Sequence, residues 1–84
     1  MNSFHNKVVI ITGASSGIGK AMAEVAHAQG AKVAVCARNL DKLKSIFPTS
    51  DRLLCVQADV SIEADCINLI NTVVARWGGV DVLI

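Results

Sequence analysis

Val8-Val9-Ile10-Ile11-Thr12-Gly13-Ala14-Ser15-Ser16-Gly17-Ile18-Gly19 runs from four β-branched residues, through a bend rich in glycine and serine, into the start of a helical pattern. The apolar block does not alternate with polar residues, which predicts a strand covered on both faces, as in a parallel sheet. The bend sits at the strand-to-helix junction. A helix that opens there leaves the N–H groups of its first turn unpaired, with about half a positive charge, so the bend is a cradle for an anion such as phosphate. Glycine lets a ligand approach the backbone closely and takes positive φ at little cost. The spacing is Gly-x-x-x-Gly-x-Gly, not the Gly-x-Gly-x-x-Gly of the best-known dinucleotide fingerprint. A Walker-type loop does not fit, because Lys20 is followed by Ala21 and no hydroxyl is in place for magnesium.

Beyond the bend, Ile18, Ala21, Met22, Val25, Ala26 and Gln29 step by three and four, predicting a helix over 18–29 with an apolar stripe, stopped by Gly30. Lys32–Ala37 is a second strand. Asn39 is a candidate N-cap for a short helix marked by Leu40, Leu43, Ile46 and Phe47, which ends before Pro48-Thr49-Ser50-Asp51. Leu53–Gln57 is a third strand. Ile62, Cys66, Leu69, Ile70, Val73, Val74 and Trp77 carry the strongest helical period, with Ser61 as the expected N-cap and Gly78-Gly79 as the stop; Val80–Ile84 begins a fourth strand. Strands that alternate with helices specify an α/β fold, a doubly wound parallel sheet with right-handed crossovers and helices on both faces. The expectation is four strands and three helices in a Rossmann-like sheet, incomplete at the C-terminus. The sequence stops inside an apolar strand, so residues 1–84 are expected to be the N-terminal part of a single dinucleotide-binding domain.

Composition narrows the function classes. Of the 84 residues 52% are hydrophobic and 18% charged, with mean hydropathy +0.49, which excludes a disordered tail. The formal net charge of +1 gives no electrostatic case for nucleic acid or a membrane surface as partner. No apolar run reaches the roughly 20 residues that span a bilayer, and the first residues lack a secretory core, so a cytoplasmic protein is expected. Cys36, Cys55 and Cys66 lack Cys-x-x-Cys spacing and read as small buried hydrophobes. His5 and His27 have no acidic or cysteine partner at ligand spacing, so no metal site is expected.

In a doubly wound sheet the ligand crevice lies outside the carboxyl ends of the strands. Three features fall there: the glycine bend, Arg38, and Asp59-Val60. Together they outline an elongated anionic ligand, with pyrophosphate on the bend, adenosine ribose near Arg38, and the adenine edge at Asp59. An acid at the end of the second strand would bond a ribose 2′-hydroxyl, whereas an arginine accommodates a 2′-phosphate, and Ala37-Arg38-Asn39 contains no acid. A solvated Arg38, or one paired with Asp41, is the bland alternative. Ser15 and Ser16 could donate hydroxyls to ribose or phosphate oxygens, or serve only as turn residues, and Asp59 could instead be an early helix cap.

Thr12–Gly19, with its full Gly-x-x-x-Gly-x-Gly spacing, resembles the cofactor motif of the short-chain dehydrogenases/reductases. Asp59-Val60 is similar to that family's adenine-contacting pair, and Asp81-Val82-Leu83-Ile84 resembles its fourth strand. The resemblance implies a nicotinamide cofactor, hydride transfer between it and an alcohol or carbonyl substrate, and commonly a homo-oligomer. It implies that Gly13, Ser15, Ser16, Gly17, Ile18 and Gly19 line ribose and pyrophosphate, that Arg38 meets the 2′-phosphate, and that Asp59 and Val60 meet the adenine. NADP is therefore expected, with NAD as the alternative. Ser16 stands where many NADP-using members carry a basic residue, which leaves discrimination to Arg38. The family's chemistry uses a tyrosine tuned by a lysine, assisted by a serine and an asparagine. This sequence contains no tyrosine, so it names no catalytic residue. A nucleotide-binding module without catalysis is the competing function.

Overall fold

The computed structural model describes residues 4–15 and 17–84. Seven elements follow in order: β1 (Val8–Thr12), α1 (Gly17–Ala28), β2 (Lys32–Ala37), α2 (Leu40–Ile46), β3 (Leu53–Gln57), α3 (Glu63–Trp77) and β4 (Val82–Leu83). The four strands form one sheet in the order β3-β2-β1-β4, and every pairing is parallel. Val9 pairs with Val33 on one side and with Val82 on the other. The chain thus steps outward from β1 to β3, and α3 then carries it back to the far side of β1. That return is the reversal of strand order at which a doubly wound sheet opens its crevice.

Both faces of the sheet are covered, which explains the absence of alternation in Val8–Ile11. Val9, Ile11, Val33 and Val35 point to the face carrying Ala23 and Ala26 of α1 and Leu43 of α2. Val8, Ile10, Ala34 and Cys36 point to the face carrying Leu69 and Val73 of α3. No polar or charged residue is buried among those described, so two dry apolar layers flank the sheet. Among the described residues no helix is long and apolar enough to cross a membrane.

Two expectations need correction. The apolar stripe of α1 packs only in part: Ala26 is buried and Met22 lies against the core, but Ile18 is 80% exposed and Val25 52%, while Ala23, outside the stripe, is buried. The packing face is made of small residues, Gly19, Ala23 and Ala26, which lets the helix approach the backbone beneath it. Ser61 is not the N-cap of α3. Ile62 occupies that position with no side-chain cap bond, and the Ser61 N–H and hydroxyl are both turned onto Asp59. Asn39 caps α2 as expected, its Oδ1 accepting the Lys42 N–H at 3.0 Å. Gly78, at φ 87°, ends α3 by donating its N–H to Val74 O.

β4 is shorter than the expected 80–84, although its pairing extends past its ends. The Asp81 N–H donates to Val8 O and the Ile84 N–H to Ile10 O, each at 2.9 Å. Asp81 also accepts the Val8 N–H on Oδ2 at 2.8 Å. Cys36 is buried, and desolvation pushes its thiol up from the ordinary value. Cys55 and Cys66 are half-buried, donating to Phe47 O and Val60 O.

Candidate cofactor site

The glycine bend is shaped by two left-handed residues and one close approach. Gly13 has φ 62° and Gly17 φ 58°, conformations in which an L side chain is strained. A Cβ at either position would meet no described atom within 4 Å, so both backbones face open space. Gly19 differs: its Cβ would stand 2.5 Å from Gly13 O, so the first turn of α1 rests on the loop itself. The bend is tied to its neighbours by the Ala14 N–H on Cys36 O and by the Thr12 hydroxyl on Ile84 O. No acidic residue lies in the first turn of α1. An open backbone cradle on the positive end of a 12-residue helix fits a diphosphate.

The ends of β1, β2 and β3 meet in a cavity of about 220 Å³ whose walls include Gly13, Ser15, Arg38, Asp59 and Val60. Five of the nine residues expected at the site therefore share one cavity, and Gly17 and Gly19 frame the bend beside it. Ser16 lies outside the described residues. The Ile18 side chain goes elsewhere, to an apolar groove shared with Phe4, Met22 and Val25.

Arg38 lines this cavity and two others. One, of about 830 Å³, is bounded by Ser15, Asn39, Asp41, Lys42 and Gln57 as well as Arg38. The second, of about 400 Å³, is bounded by Arg38, Gln57, Asp59 and Asp65. The one ion pair among the described residues joins Lys20 to Glu24, so Arg38 is not engaged with Asp41. Its backbone is anchored instead, Gln57 Nε2 donating to Arg38 O at 3.1 Å.

Asp59 organises the turn that leads into α3. Its Oδ1 accepts from the Ser61 hydroxyl at 2.6 Å and from the Ser61 N–H at 2.9 Å, and its carbonyl accepts the Ile62 N–H at 2.9 Å. Those two bonds from Ser61, with the Arg38 charge adding, hold the Asp59 carboxyl below its ordinary value. It is therefore ionised at neutral pH and ready to accept further hydrogen bonds. The Asp59 N–H donates to Asp65 Oδ2 at 2.9 Å. Gln57 and Asp65 were not legible as site residues in the sequence, because each acts through a hydrogen bond to a residue 19 or 6 positions away. The polar positions around Asp59 were the available signal, but nothing local distinguishes Asp65 from a solvated helix residue.

Three comparisons bear on this geometry. The family model for short chain dehydrogenases matches residues 7–84. A dehydrogenase/reductase SDR family protein 7-like of Dictyostelium discoideum is 36% identical over 92 residues, covering 99% of this chain and 29% of that protein. An uncharacterized oxidoreductase of Listeria monocytogenes is 42% identical over 82 residues, covering 93% of this chain and 33% of that one. Among solved structures, the 3-ketoacyl-(acyl-carrier-protein) reductase of Brucella melitensis complexed with NADH superposes with TM-score 0.89 at 36% identity, covering 96% of this chain and 34% of that chain. The chain spans about a third of the length of these proteins.

Proposed function

The chain belongs to the short-chain dehydrogenase family, and from that premise we propose that it forms the adenosine-pyrophosphate half of the site in an NADP(H)-dependent oxidoreductase. Residues 1–84 would be the N-terminal part of a single dinucleotide-binding domain, acting on an alcohol or carbonyl substrate. Gly13, Gly17 and the first turn of α1, from Ile18 to Gly19, would cradle the pyrophosphate. Ser15 and Ser16 would donate hydroxyls to ribose and phosphate oxygens. Asp59 and Val60 would take the adenine edge. When bound, the cofactor supplies or accepts the hydride. Proton transfer to or from the substrate oxygen would fall to residues outside this stretch, which contains no tyrosine.

The observation that supports NADP is Arg38. It stands directly after β2, lines all three cavities at the strand ends, and is free of carboxylate partners among the described residues. A guanidinium fork matches a phosphate in charge and geometry. NAD is the second reading, favoured by the NADH bound to the Brucella reductase and by Asp41, an acid on the wall of the larger Arg38 cavity.

Calorimetry on the full-length gene product decides between them. The expected result is tighter binding of 2′-phospho-ADP-ribose than of ADP-ribose, with Arg38→Ala narrowing the gap by about 1 to 3 kcal/mol. Equal affinities in the unmutated protein would overturn the NADP assignment and leave NAD.

A further inference from the structure

Asp59 can read an adenine edge only if its carboxylate is held at a fixed place above the cavity floor. The residue belongs to no helix or strand; it lies between the end of β3 at Gln57 and the start of α3 at Glu63. What fixes it is a set of hydrogen bonds from the head of α3. The Asp59 N–H is bound by Asp65 Oδ2 at 2.9 Å in a half-buried setting, and the neighbouring Val60 O accepts from Cys66 Sγ at 3.3 Å. Asp65 and Asp59 then bound the same 400 Å³ cavity, together with Arg38 and Gln57.

Ser61 sets the rotamer of the Asp59 side chain through two bonds to Oδ1. It cannot set the position of the Asp59 backbone relative to α3, because Ser61 belongs to the same turn. Asp65 can, being fixed in the first turn of α3, whose Leu69 and Val73 are buried against the sheet. Without that bond the Asp59 peptide would be tied to α3 only through the Ile62 N–H on its carbonyl and the weaker Cys66 thiol contact to Val60 O, so its tilt would be less constrained. The carboxylate would then be presented to the ligand at a variable height, and a directional hydrogen bond would lose most of its value.

We propose that Asp65 is a positioning residue for adenine recognition, which holds Asp59 in register with the adenine exocyclic amine by accepting the Asp59 backbone N–H. The proposal rests on the reading of Asp59 as the adenine contact. Adenine offers a donor at its 6-position and an acceptor at N1, where hypoxanthine offers an acceptor and an N1–H donor, so replacing one base by the other reverses the edge that Asp59 would read.

Binding of 2′-phospho-ADP-ribose, of its hypoxanthine counterpart and of ADP-ribose would be measured by calorimetry on the full-length gene product, unmutated and as Asp65→Ala and Asp65→Asn. The unmutated protein is expected to prefer adenine over hypoxanthine by roughly 10-fold or more, the range for a hydrogen bond to a charged group. Asp65→Ala is expected to cut that preference to roughly 3-fold or less without lowering the preference for the 2′-phosphate, since a carboxylate on the wall of the Arg38 cavity can only oppose a phosphate there. Asp65→Asn keeps an oxygen acceptor for the Asp59 N–H and is expected to retain the adenine preference. A loss that came only from a weakened fold would lower both preferences together, and that result overturns the proposal. So does an adenine preference unchanged in Asp65→Ala, or one lost equally in Asp65→Asn. An unmutated protein indifferent to the base overturns instead the assignment of Asp59 on which the proposal stands.

Discussion

At Gly13 and Gly19 an added methyl group meets opposite circumstances. At Gly13 it would find open space but a left-handed backbone; at Gly19 it would press on Gly13 O at 2.5 Å. Both Gly13→Ala and Gly19→Ala should lose stability, by about 1 to 2 kcal/mol for the backbone conformation and about 1 to 3 kcal/mol for the overpacking. Asparagine separates the two causes. It tolerates the left-handed region, so Gly13→Asn should recover part of the loss, whereas Gly19→Asn should be worse than Gly19→Ala. Urea unfolding reads the difference, and equal losses for alanine and asparagine at Gly13 would refute the conformational account. Asp59 makes a pH prediction of definite sign. Its folded-state carboxyl lies below the ordinary 3.8, so the stabilisation from Ser61 is complete above that value and is lost as pH falls through the lower folded-state one. Ser61→Ala removes the hydroxyl bond and should move the Asp59 carboxyl upward, toward 3.8, in a carbon NMR titration. A titration that does not move would mean that Ser61 is not what holds it down.

α1 shows where helical periodicity misleads. The period in 18–29 selects Ile18 and Val25, both more than half exposed, along with buried Ala26, and passes over Ala23, which is fully buried. A helix seated on a loop carbonyl is chosen for closeness of approach, and closeness favours the smallest side chains, which hydropathy ranks poorly. Ala23→Leu should therefore cost about 1 to 3 kcal/mol by overpacking, while the same change at exposed Ala28 should stay within about 0.5 kcal/mol. Similar thermal midpoints for the two variants would place the packing face wrongly. α3 failed in a different way. Serine before a helical run is a sound N-cap signal, but Asp59 competes for the Ser61 hydroxyl and wins with a charged acceptor. By contrast, strand positions and the β2 to α2 junction were legible, because β-branched runs and the Asn39 cap are decided within a few residues.

Across the whole molecule, the legible part of the site is the part that topology alone dictates. Parallel strands joined by helices must bring their carboxyl ends to one edge, so the bend, Arg38 and Asp59-Val60 converge without any knowledge of side-chain contacts. The residues that hold them there, Gln57 and Asp65, depend on distances set only after α3 has packed. The central place of β1 also orders the assembly of the sheet in time. Pairing β1 with β4 closes about three times the length of chain that pairing β1 with β2 does, an added loop-closure cost of about 1 kcal/mol. The reward is smaller than for β2, because β4 sets two residues in register against five, its remaining bonds coming from Asp81, Ile84 and Thr12 at its ends. β4 should accordingly dock last, and pulse-labelling hydrogen exchange during refolding should protect the Lys32 amide, which donates to Lys7 O, before those of Thr12 and Ile84, with simultaneous protection refuting that order. Thr12, the hinge from which the glycine bend departs, donates both its N–H and its hydroxyl to Ile84 O. The glycine bend is thus a late product of folding, its base clamped only when Ile84 arrives.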